Sequence, residues 1–179
     1  MTEFNDPKIE LHLHLEGGAS PEFIRQIASK KNISIGSIFD ENGNYKFDNF
    51  NDFLAVYEQA TSVLVTPEDY YKLTVSVLAN SSENDVIYTE LFLSPDFCGG
   101  GELSAWKDYL AAIKEAAQFA ERNYSIIAKG IVTCIRHYGP EKAKYAAICA
   151  AETEGEFIRG FGMAGAENIG KQGDFSYSF

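Results

Sequence analysis

Between residues 7 and 19 the sequence reads PKIELHLHLEGGA, and this stretch constrains the fold more than any other. Ile9, Leu11, Leu13 and Leu15 alternate with Glu10, His12, His14 and Glu16. That is the period-2 pattern of a β-strand, with one aliphatic face and one face of imidazoles and carboxylates. At a rise of about 3.3 Å per residue, His12 and His14 start about 6.6 Å apart on one side, within reach of a common metal ion. The pair alone leaves two readings open, a metal site and a solvated strand face. Gly17 and Gly18 end the strand, and Ser20 and Pro21 supply an N-cap and a first helical residue. The histidines therefore fall at the carboxyl end of a strand that turns directly into a helix, the rim on which βα proteins carry their chemistry.

The string as a whole resembles P-K-x-E-L-H-x-H-L-D/E-G, the opening strand of the adenosine deaminase family within the metal-dependent amidohydrolases. The resemblance implies an α/β fold of the (β/α)8 TIM-barrel type. It implies Zn2+ bound through His12 and His14, and contacts from His14, Glu16 and Gly165 to a purine nucleoside, with Glu16 holding a ribose hydroxyl. The implied activity is hydrolytic deamination of adenosine to inosine and ammonia. Relatives acting on adenine, AMP or another purine share the same H-x-H.

Downstream, residues 21–32 place Phe23, Ile24, Ile27 and Ala28 on one helical face. Residues 39–49 read as a polar loop, after which Phe50, Phe53, Leu54 and Tyr57 recur at helical spacing. This aromatic stripe reads equally as core or, by the resemblance, as the border of a nucleoside pocket. Thr66, Pro67 and Asp69 make a capping-box start for a helix with Tyr70, Leu73, Thr74 and Val77 inward. VIYTELFL at 86–93 is a second strand. In it Phe92 stands where the family's Y-x-E-x-R has an arginine, and Glu90 needs a partner to offset its burial among apolar residues. Gly99, Gly100 and Gly101 lack phosphate-loop spacing and read as a flexible connection.

Residues 104–122 form an amphipathic helix with Trp106, Leu110, Ile113, Ala117 and Ala120 on its stripe. Residues 125–135 are a third, nearly continuous apolar strand that carries Arg136 and His137 at its carboxyl end. His137 reads either as a surface group or as part of a site on that rim. A helix opened by Pro140 presents Ala143, Ala146, Ala147 and Ala150 to the sheet. FIRGFGMAG at 157–165 is a short fourth strand resembling the family's G-F-D-L-A-G-D-E, with Gly162 and Ala166 in place of its two aspartates. Residues 171–179 read as the start of another helix.

Strands and helices in this order make about half of an eightfold barrel, one domain over residues 1–179 that stops before a fifth strand. The family's H-A-G-E and S-L-N-T-D-D-P strings do not occur. No catalytic acid–base glutamate is therefore assigned, and the alternative is a non-catalytic fragment. Such a chain is expected neither to deaminate adenosine alone nor to stay a well-folded monomer, because its open sheet edges invite self-association. A net charge of -11 excludes a basic footprint for nucleic acid. Cys98, Cys134 and Cys149 show no paired spacing and read as buried thiols in a reducing compartment. Without a signal-like amino terminus or an apolar run of about 18 residues, a cytoplasmic protein that avoids membranes is expected.

Overall fold

A computed structural model describes residues 6–179. Four strands form one parallel sheet in the order β1-β2-β3-β4. They are β1 (Lys8–His14), β2 (Val86–Leu93), β3 (Ile127–Ile135) and β4 (Ile158–Ala164). Parallel neighbours require crossovers, and helices supply them. The β1–β2 crossover carries α1 (Pro21–Lys31), α2 (Phe50–Thr61) and α3 (Pro67–Glu83). The later crossovers carry α4 (Leu103–Tyr124) and α5 (Pro140–Thr153). This is the expected βα architecture of a partial barrel.

Local chemistry sets the helix ends. Ser20 caps α1 by accepting the Phe23 N–H, and Asn32 closes it in the left-handed conformation at φ 57°. Thr66 and Asp69 form the capping box that opens α3. The Asp69 carboxylate also receives the Lys31 ammonium, which donates to the Val63 carbonyl as well, so one ion pair ties α1 to α3. Burial pushes the Asp69 carboxyl up, but hydrogen bonds from Lys31 and Thr66 outweigh it and hold the group below its ordinary value. The core fills the space between sheet and helices around Trp106, whose indole N–H donates to Thr153 Oγ1 at 3.1 Å. On α5 the buried residues are Ala143, Ala146, Cys149 and Ala150, a small-residue face that seats the helix close to β3.

Three expectations change. β1 is not a regular strand: between the pairs Glu10–Thr89 and Leu13–Leu91, Leu11 and His12 together oppose Glu90 alone. This is a β-bulge, and the His12 N–H turns to the Glu10 carboxylate at 2.8 Å. The three-glycine run is a shaped corner, with φ from +74° to +86°. Its carbonyls are engaged by Lys142 Nζ on Gly100 and Cys149 Sγ on Gly101. Residues 171–179 contain a single 3-10 turn, Gln172–Phe175, in which Asp174 takes the Lys171 N–H and no apolar helical stripe continues.

Glu90 finds its partner on its own strand: Tyr88 O–H donates to it at 3.1 Å, and Lys129 lies opposite in register. Cys98, Cys134 and Cys149 are free and buried. Among the described residues no helix is long and apolar enough to cross a membrane.

β1 and β4 are the edges of the sheet. On β1, Ile9 is 63% and Leu11 57% exposed, so this edge combines unpaired backbone groups with uncovered aliphatic surface. The 179-residue chain is expected to elute as a dimer or larger species in size exclusion with light scattering. Leu11→Lys should shift it toward monomer.

Candidate functional site

The carboxyl ends of the strands and the helix α2 enclose a cavity of about 350 Å³. From β1 and the turn after it come Leu13, His14 and Gly17. From α2 come Phe50, Phe53, Leu54, Tyr57 and Glu58, so the aromatic stripe borders this cavity. The far side is made by Phe97 and by Ile135, His137, Ala164 and Gly165 at the ends of β3 and β4. A volume of about 350 Å³, mostly apolar with a few polar groups, lies in the range of small-molecule sites.

His12 and His14 share a face despite the bulge, with ring centroids 5.4 Å apart and ring planes tilted by 40°. Phe92 packs against both. It stacks on His12 at 4.3 Å and 24°, and meets His14 at 5.1 Å. Burial, and then the neighbouring His12, hold the His14 imidazole below its ordinary value. At neutral pH its lone pair is free, the state in which histidine ligates zinc. Among the described residues no group of three or more His, Cys, Asp and Glu is placed to hold a metal ion. Two imidazoles on one face fit the donor chemistry of zinc, which takes four ligands.

Glu16 sits apart from the cavity wall, 5% exposed in the turn after β1. Its Oε2 accepts from Tyr57 O–H at 3.0 Å and its Oε1 from Tyr70 O–H at 2.9 Å. Burial pushes the Glu16 carboxyl up, against the two tyrosine bonds. Burial and the adjoining Glu16 in turn push both tyrosines well above their ordinary range, so both remain hydrogen-bond donors.

His137 belongs to the cavity and not to an outer surface. The Ala166 N–H donates to Nδ1 at 3.2 Å, which leaves the ring proton on Nε2, 3.1 Å from Glu58 Oε1. Tyr138 O–H donates to the same Glu58 oxygen at 2.9 Å. Gly165 has φ +103°, and a Cβ built there would lie 2.6 Å from His137 Nδ1. Glycine is therefore needed both for the backbone turn and for the approach of the His137 ring. Sequence reasoning did not single out Glu58. The available signal was a carboxylate eight residues after Phe50, on the same stripe as Leu54 and Tyr57.

A parallel βα sheet whose strand ends carry paired imidazoles beside an apolar cavity is the architecture of the barrel-type amidohydrolases. The sequence profile of the adenosine deaminase family matches residues 7–179, and the chain belongs to that family. An adenine deaminase of Chelativorans sp. is 40% identical over 172 residues, covering 96% of this chain and 52% of that protein. The chain thus spans about half the length of the curated relatives it matches. The fold is also that of the adenine deaminase from Arthrobacter aurescens, with TM-score 0.81 and 22% identity over 94% of this chain and 52% of that one. An amidohydrolase from Burkholderia ambifaria with bound Zn superposes with TM-score 0.74 and 19% identity, over 96% of this chain and 48% of that one.

Two outcomes are expected. Glu16→Ala strips both tyrosine hydroxyls of their acceptor and should cost about 2–3 kcal/mol in urea unfolding, with Glu16→Gln costing less. Zinc should bind the 179-residue chain weakly and leave on dialysis, since two imidazoles do not close a site. Metal analysis after dialysis checks this, and zinc retained at full stoichiometry in His12→Ala would place the ligands elsewhere.

Proposed function

We propose that this chain forms the purine-binding wall and two zinc ligands of a site for hydrolytic deamination of adenine. Adenine and water give hypoxanthine and ammonia: a C6–O bond forms, the C6–N bond to the amine breaks, the amine leaves as ammonia with one of the water's protons, and the other proton stays on the product's ring nitrogen beside C6. His12 and His14 would hold the zinc, which when bound would lower the pKa of a coordinated water to about 7. The aromatic side chains of α2 offer flat apolar surfaces to a planar base in a cavity of small-molecule size.

The observation that carries adenine over adenosine is the state of Glu16. Holding a ribose hydroxyl needs a carboxylate that the ligand can reach, whereas Glu16 is 5% exposed, lies outside the cavity lining and is held there by Tyr57 and Tyr70. Turning it toward a sugar would leave two buried tyrosine hydroxyls without their acceptor. The similar proteins named adenine deaminase support the same reading.

Titration calorimetry of the chain should give tighter binding of adenine than of adenosine or AMP. With zinc present, the polypeptide encoded by the intact natural locus should release ammonia from adenine at least tenfold faster than from either. Preference for adenosine, or ammonia from none of the three, overturns the reading.

A further inference from the structure

We infer that Glu58 is a specificity-determining residue that accepts the imidazole-ring N–H of the free purine base. The inference rests on the adenine reading above and goes beyond it by naming the group that separates a base from its 9-substituted derivatives.

Among the described residues lining the cavity Glu58 is the one carboxylate, on a helix face otherwise made of Phe50, Phe53, Leu54 and Tyr57. Its Oε1 is committed to two donors, His137 Nε2 at 3.1 Å and Tyr138 O–H at 2.9 Å. Those bonds fix the side chain in place, and the Ala166 N–H on His137 Nδ1 fixes the imidazole in turn. Oε2 accepts no hydrogen bond from the described residues, and the side chain is 43% exposed. A ligand filling the cavity removes water from this oxygen. The loss is offset only if the ligand brings a donor.

Adenine carries two kinds of donor, the exocyclic amine at C6 and the N–H of its five-membered ring, at opposite ends of the molecule. The amine belongs at the His12–His14 end, where it is lost. β1 and β3 are separated by two strand spacings, about 10 Å, and the contact of Glu58 with His137 sets its carboxylate toward the β3 side of the cavity, away from the β1 side that carries His14. A purine with a hydrogen-bond length at each end spans a comparable distance. The ring N–H thereby falls to Glu58 Oε2, as a charge-assisted hydrogen bond. A 9-substituted purine has no proton there and sets its substituent against the carboxylate. A site built around a donor rejects the analogue that lacks it.

The test compares adenine with 9-methyladenine, which keeps the amine and the ring system but lacks the N–H. Dissociation constants for the full chain are measured by titration calorimetry, for the parent protein and for Glu58→Gln and Glu58→Ala. The parent should bind adenine at least tenfold tighter, Glu58→Gln should keep part of that ratio through its amide oxygen, and Glu58→Ala should bind both bases alike. A purely structural role in holding His137 and Tyr138 would weaken both bases together and leave the ratio unchanged in Glu58→Ala, which overturns the inference. Equal affinities in the parent also overturn it while leaving the deaminase reading intact. Failure of the parent to bind either base removes both.

Discussion

The buried carboxylate of Glu16 is the joint on which the site depends. It stands in the turn after β1 and receives hydroxyls from Tyr57 on α2 and Tyr70 on α3. One acidic side chain thereby locks the histidine strand, the aromatic wall and the helix behind that wall into one arrangement. Burying a carboxyl is unfavourable, and two donors with no competing water are what make it tolerable. Because Tyr57 both holds Glu16 and lines the cavity, the shape of the pocket is coupled to the interior of the first crossover.

Most of the architecture was legible from local signals. The four strands, the capping box at Thr66 and Asp69, and the apolar stripe of α4 follow from periodicity and turn chemistry that each segment carries within itself. What escaped depends on partners far away in sequence. The bulge at Leu11 and His12 arises in pairing with β2, and the HLH alternation contains no trace of it. The glycines at 99–101 gave composition, but Lys142 and Cys149 from α5 decide their shape. The expected helix at 171–179 lacked an apolar stripe, and one 3-10 turn formed instead.

The site was legible to a lesser degree. The histidine pair stood out through its H-x-H spacing at a strand's carboxyl end, and Gly165 only through the resemblance of its segment to the family's fourth-strand string. His137 could be placed on the correct rim, but its contact with Glu58 spans 79 residues, and no local pattern announces such a pair. Glu16, expected to face a ribose, is instead engaged by partners that no local pattern announces, because the two tyrosines come from helices 41 and 54 residues later. Phe92, marked as a departure from the family's arginine, proves to be the aromatic floor against which both imidazoles rest.

The position of α2 carries a further consequence. It rests on the turns that follow β1 and α1, while the sheet ladder is built from β1 to β4 with α3, α4 and α5 behind it. The helix that shapes the pocket is therefore a cassette slotted into a crossover, outside the scaffold that bears the strand pairing. Tyr57, through Glu16, and Glu58, through His137 and Tyr138, are the dowels that key the cassette to the frame. Phe50, Phe53 and Leu54 shape the pocket without touching the strand ladder, so their side chains can be exchanged to reshape the cavity while the sheet keeps its pairing.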